Sequence, residues 1–497
     1  MSSEQYPNLT SRRDFIRQAS CAAVGTLAIK STIRDLRLIN AAMAQTGLGG
    51  YKALVCLFLG GGNDANNWIV PTDAPTFAEY TANRGIVALP ELSLRPLYQA
   101  GTSGSLYTDA DGHSYGFHPS CAELQTLFGE DKIAPILNIG TLVRPTTKAQ
   151  YNANPNFYRP PQLFSHSDQV TQWQTSIPDQ PPLTGWGGRV ADLLNATANP
   201  NGSISMSVSL NGANIFEAGN LVSQYHVATT GAVTMSGNLM TGTGARVTAL
   251  KDILGLSHTN LQRTAYADVV DNAIYAGNLL NTAIAPTVLD TYWTVPFPNT
   301  TLGNQLKMIA RIIQARGDAT TLPPPANKFN MARQVFFCSV GGYDTHTQQV
   351  AVNGTDQPAH PAGAHYRLLA EVSTCMFAFQ RAMEQLGVSN NVTTFTASDF
   401  SRTFFSNGQG TDHSWGAHSL VMGGAVNGGV TYGKLPNFAI NGPDGIGNGA
   451  WIPTTAVDQH SATLAKWFGV DPGAKMASVF PNLSRFATPD LLFMKPA

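Results

Sequence analysis

The chain has 497 residues, with 30 Lys plus Arg against 31 Asp plus Glu, a formal net charge of −1 and only 12% charged residues. That length calls for one large α/β domain with insertions, or for two or three domains. The even charge balance, with no basic stripe or acidic tail, excludes the electrostatic footprint of a nucleic-acid partner, and the low charged fraction leaves the surface to Ser, Thr, Asn, Gln and Gly, a composition familiar in exported proteins.

The first element is a leader. Residues 11–17 read SRRDFIR, two adjacent arginines followed by Phe15 and Ile16, which matches a twin-arginine export signal. A short apolar run, Ala19 to Ile29, follows, and Ala42-Met43-Ala44 is a small-residue cleavage site. The run is too short to span a bilayer, and no later stretch is long and apolar enough to do so. The expectation is therefore a signal peptide over 1–44 and a periplasmic or secreted protein with no integral membrane segment once the leader is removed. Beyond Cys21 in the leader stand Cys56, Cys121, Cys338 and Cys375, too few in this length for a disulfide scaffold; Cys56 and Cys338 sit in apolar runs and read as buried strand residues.

Residues 53–59 (ALVCLFL) form a continuous apolar run that stops at three glycines, as a fully buried parallel strand does. The run 134–140 (APILNIG) is a second such strand, with a helix predicted between them over 118–132, Pro119 and Ser120 at its start. A Pro- and Asn-rich loop (144–161) leads to a helix starting at SHSD, with Ser165 or Ser167 as its N-cap. Residues 203–210 alternate as a strand does, inside a segment of small polar residues that reads as an insertion or cap over 195–300. Helical spacing recurs over 246–285 and 303–316, and α/β alternation returns with strands at 334–342, 391–400 and 419–426 and helices at 364–387 and 454–470. The pattern predicts a doubly wound, mostly parallel α/β sheet flanked by helices, its core built from 45–194 and 301–497 with an inserted cap region at 195–300.

Open parallel sheets gather function at the carboxyl ends of their strands. Three predicted strands end there in acid or imidazole: the first in Asp64, the second in Asp344 and His346, the third in Asp399 and Arg402. The segment TDHSWGAH follows with Asp412, His413 and His418. Carboxylates and imidazoles on loops suit a divalent ion such as zinc, manganese or calcium, one or two of them, and no thiolate stands near. A two-ion site clamps the attacking and leaving oxygens of an in-line displacement, which is the hydrolysis of phosphate or sulfate esters. Arg402 is placed to hold the oxyanion as a bidentate donor. His166, beside the predicted helix start, is a further candidate catalytic group, nearly level with a structural hydrogen bond; for Asp64 taken alone a helix cap is the plainer reading.

The leader, FLGGGND, GFHP, SHSDQ with TGWGGR, GGYDTH, SDFSRT and GTDHSWGAHSLVMGGAVNGG stand in the order found in the bacterial exported family catalogued as domain of unknown function 1501, which the chain resembles over nearly its whole mature length. The resemblance implies the alkaline phosphatase and sulfatase superfamily: an alkaline phosphatase-like α/β core and a two-metal hydrolytic site. It implies Asp64, Asp344, His346 and Asp399 as ligands, with His413 or His418 replacing the histidine that the superfamily has where Phe400 stands here. It also implies a serine nucleophile at a helix N-terminus, for which Ser165 fits and Ser120 is the rival. The expected activity is an exported metal-dependent hydrolase acting on a small-molecule or polysaccharide ester. The alternative is a non-catalytic binding protein on the same fold with a partial or structural metal site.

Overall fold

In a computed structural model of the chain, the described residues are 48–102, 104–181, 183–233, 244–256, 260–284, 292–316, 329–350, 363–439 and 442–496. The leader, with Cys21 and the cleavage site, lies outside them, as do His258 and His360.

Among the described residues, ten strands make the main sheet: β1 (Lys52–Leu59), β2 (Ile133–Gly140), β3 (Ser207–Ser209), β4 (Tyr225–Ala228), β5 (Gly231–Ala232), β6 (Arg333–Val340), β7 (Val392–Ser398), β8 (Ala417–Met422), β9 (Tyr432–Gly433) and β10 (Thr455–Ala456). Their order is β9-β2-β8-β7-β1-β6-β3-β4-β5, with β10 beside β2. β1 is central and parallel to both β7 and β6, and seven of its eight residues are buried, which is why it reads as an unbroken apolar run. β8 runs antiparallel between β7 and β2. The reason is local: after β7 the chain stays at the carboxyl rim through the hairpin Arg402–Ser406/Thr411–His413, so the next strand can only run back down the sheet.

Helices Thr301–Gln314, Trp186–Ala198 and Val457–Phe468 pack on the sheet, and Ala364–Gln385 packs on Thr301–Gln314 and on Ala122–Gly129. Thr301–Gln314 shows why. Thr300 caps it by accepting the Gly303 amide, and Leu302, Leu306, Ile309 and Ile313 form one buried stripe. The fold is thus a mixed α/β one with a mostly parallel central sheet flanked by helices. Part of the expected insertion joins the sheet: β3 pairs with β6 and carries β4 and β5 outward. Cys56, Cys121, Cys338 and Cys375 are free and buried. No described helix is long and apolar enough to cross a membrane.

Candidate metal centre

The register sets the site. Leu59 lies beside Val340 on one side and Ser398 on the other, so β1, β6 and β7 end level and release their loops at one rim. The loops must approach closely. Gly61 (φ +117°) has no space for a Cβ, which would sit 2.5 Å from the Asp344 amide nitrogen, and a Cβ on Gly62 (φ +82°) would meet the Phe400 ring at the same distance. The Gly61 amide donates to Asp399 Oδ1 (3.0 Å), tying the first loop to the third.

Four side chains converge here. His346 Nε2 lies 3.2 Å from Asp344 Oδ1, His413 Nε2 3.4 Å and His166 Nε2 3.6 Å. His346 Nε2 and His413 Nε2 are 2.9 Å apart. One donor atom from each of His166, Asp344 and His413 fits within 4.8 Å of the others. Every Nδ1 is engaged from behind: His166 with Asp399 Oδ2 (2.6 Å), His346 with Asp412 Oδ1 (2.8 Å) and His413 with the Phe164 carbonyl (2.8 Å). Asn407 adds a second donor to Asp412 (2.9 Å). The Phe400 ring lies 4.7 Å, centroid to centroid, from both His166 and His413 and closes one side.

This arrangement could hold a metal ion. Ligating histidines characteristically give their second nitrogen to a carboxylate or carbonyl, which fixes ring and tautomer. Donors bound at about 2.0–2.1 Å in a tetrahedron lie about 3.3 Å apart, close to the 3.4 and 3.6 Å from Asp344 Oδ1 to His413 and His166, the three residues whose donor atoms share one neighbourhood; His346 adjoins them through Asp344 and His413. Protonation states agree with that use. Burial would raise the Asp344 carboxyl, but the Arg402 hydrogen bond and the charges of Arg402, His346 and His166 outweigh it and hold Asp344 below the usual range. Burial and the neighbouring Arg402, His166 and His346 hold His413 below its ordinary value against the pull of the Phe164 carbonyl. A carboxylate and a neutral imidazole are the forms a cation needs. Asparagine at Asp399 or at Asp412 should therefore weaken metal affinity by about 10- to 100-fold with the fold intact, as equilibrium dialysis would read.

Several expectations are corrected. Asp64 is not in the cluster: it is fully buried, paired with Arg84 and hydrogen-bonded by Gln349. His418 is not at the rim either; its Nδ1 accepts the Asn138 amide (3.1 Å) inside the sheet, and burial pushes it down to about 4. Asp64 and His418, both expected as ligands, are thus held away from the cluster, which leaves His166, His346, His413 and Asp344 as the residues that could hold an ion. Arg402 does not face an oxyanion: its side chain is fully buried and donates to Asp344 Oδ1 (2.8 Å), the Gly61 carbonyl (3.2 Å) and the Thr411 carbonyl. Asp399 and Asp412 orient histidines from behind. His166, expected as a catalytic group, stands with its Nε2 beside Asp344 and its Nδ1 on Asp399, where it could hold a metal. Ser165 is the N-cap residue of helix His166–Thr175, and its hydroxyl donates to Asp168 (2.5 Å); among the described residues it makes no hydrogen bond to the cluster. Its rival Ser120 bonds His118 Nδ1 (2.8 Å) in a local turn. Sequence reasoning missed Arg84, Gln349 and the Phe164 carbonyl. A carbonyl partner leaves no trace in a sequence, but a helix-terminal arginine some twenty residues after a buried aspartate was a signal available for Arg84.

His418 has a measurable consequence. Its folded value of about 4 lies below the ordinary 6.5, so between those values the unfolded chain takes up a proton that the folded one refuses. Its contribution is full above pH 6.5 and is lost as pH falls toward 4. Glu217 and Asp458, raised by burial to about 8 and about 7, change stability in the opposite sense, so the effect is read as a difference. Relative to His418→Gln, the wild type should lose about 3 kcal/mol between pH 7 and 4 in urea titrations; a constant difference would contradict the buried neutral ring.

The fold and site thus define a mixed α/β protein with a three-histidine, one-aspartate cluster at the carboxyl rim of its sheet. Residues 330–471 match the family model described as Protein of unknown function (DUF1501), which supports a domain of that kind in this part of the chain. The matched stretch carries Asp344, His346, Asp399, Arg402, Asp412 and His413, whereas Asp64 and His166 precede it. No curated protein matches the sequence.

Proposed function

We propose that this is a metal-dependent hydrolase of phosphate or sulfate esters, with one divalent ion held by His166, His346, His413 and Asp344. The observation that carries the reading is the convergence of three imidazole Nε2 atoms on one Asp344 oxygen while each Nδ1 is tied from behind. An ion there would supply Lewis-acid polarisation of an ester oxygen and acidify a water. The chain's own residues do the rest. Arg402 fixes Asp344, Phe400 excludes water from one side of the imidazoles, and the groove that opens at Asp412 and His413 receives the remainder of the substrate. The Arg12-Arg13 leader supports export by the twin-arginine route and a periplasmic or secreted location.

A second reading, a binding protein with a structural ion, is favoured by one observation: the Ser165 hydroxyl and the Arg402 guanidinium are both already engaged. Turnover separates the two. Chelated protein reloaded with zinc, manganese or calcium should cleave 4-nitrophenyl phosphate or 4-nitrophenyl sulfate with at least one ion; metal-loaded protein that cleaves neither would leave the binding reading.

A further inference from the structure

We propose that the groove beside the cluster binds a neutral saccharide, the alcohol half of the ester; the proposal rests on the hydrolase reading for the bond cleaved, though not for the binding itself. The groove has a volume of about 430 Å3, within the range of small-molecule sites, and its lining includes His413 of the cluster and Asp412, which orients His346. Through His413 the groove adjoins the cluster, which lets a group esterified there reach into it.

Its lining carries two kinds of chemistry. One is the half-buried rings of Tyr151, Phe164 and Phe405, from three separate elements. Tyr151 is braced by the Arg159 guanidinium over its ring (3.8 Å) and by Trp415 (6.1 Å), and Phe405 by Phe404 (6.1 Å), so the rings are fixed before a ligand arrives. The other is the hairpin Gly445–Ile446/Ala450–Trp451, whose turn exposes backbone at Gly447 (φ +52°) and the amide of Asn448; Asn152 adds a second exposed amide at the rim. Amide side chains both donate and accept, as hydroxyl partners require. A pyranose matches this pairing, with a C–H face for the aromatic rings and hydroxyl edges for the amides. A purely aromatic alcohol would leave the amides unmatched. Charge narrows the class further. Among the described lining residues the one lysine or arginine is Lys148, which already donates to the Gly442 carbonyl (3.0 Å), so a polyanionic chain finds no cluster of basic partners among them. The ligand is a sugar neutral apart from its ester.

The test is binding of cellobiose, lactose and mannobiose to the full-length metal-loaded protein, followed by saturation-transfer NMR, in wild type, Tyr151→Ala and Phe405→Ala, with thermal melts to confirm folding. At least one disaccharide should bind in the millimolar range, and each substitution should weaken it by about tenfold. Phe405→Leu, which keeps the apolar volume but not the ring, should weaken it too. No binding by any of the three, or binding unchanged in both alanine variants, overturns the proposal. The two readings fail separately. Saccharide binding without ester turnover sinks the hydrolase alone, while aryl-ester turnover with a KM indifferent to Tyr151→Ala and no disaccharide binding sinks the saccharide alone.

Discussion

Alanine at Asp344 is expected to abolish metal binding and, with it, turnover of any ester the wild type cleaves, by more than the 10- to 100-fold that loss of an orienting partner costs. Asp344 is the one anionic donor in the cluster, and all three imidazoles gather on its Oδ1. Without it, a divalent ion would meet three imidazole nitrogens beside the buried guanidinium of Arg402, whose Nη1 then has lost its carboxylate. A hydrogen-bonded cation left unpaired also repels an incoming one, so the defect is electrostatic as well as a missing bond. Asparagine at the same position separates these effects: it keeps the shape and an oxygen but not the charge. Isothermal titration with zinc and manganese, alongside elemental analysis of protein as purified, reads both variants. Bound metal at wild-type stoichiometry in Asp344→Ala would remove the cluster from consideration as a metal centre.

The rim was legible because buried strands announce themselves: 53–59 and 334–342 are largely apolar runs that stop at glycine, 391–400 is a β-branched stretch that reaches Asp399, and parallel neighbours of similar length end level. Asp344 and His346 follow from the end of their strand, and His413 from the TDHSWGAH segment after the third. What a sequence does not show is which way a side chain turns once it leaves the rim. Asp64 and Asp344 both follow a glycine-rich strand end, yet one turns beneath the surface to Arg84 and the other faces the imidazoles. His413 and His418 are five residues apart, and the difference between them is the start of β8: His413 closes the rim hairpin, whereas His418 is already inside a strand whose neighbours bury it. The antiparallel course of β8 was equally hidden, since SLVM reads the same in either direction.

The second large effect concerns stability. Methionine at Arg84 should cost about 3–5 kcal/mol, a large part of the folding free energy of an ordinary domain, because it leaves the Asp64 carboxylate buried without its cation. Arg84 is fully buried, and besides Asp64 it donates to the Thr403 carbonyl (3.0 Å), the Phe404 carbonyl (2.9 Å) and Asn67 Oδ1 (3.2 Å). Gln349 links the pair to the site, donating to Asp64 and accepting from Thr411 Oγ1 (2.6 Å), next to Asp412. The pair therefore braces the hairpin that carries His413 from below. Pairing Arg84→Met with Asp64→Leu should recover much of the loss, since an apolar pair of similar volume removes the stranded charge. Urea unfolding of both variants measures this, and metal titration of Asp64→Asn distinguishes a brace from a ligand. A brace loses stability equally with and without chelator and keeps one ion per chain, whereas a ligand would lose an ion, and its stability deficit would appear only in metal-loaded protein.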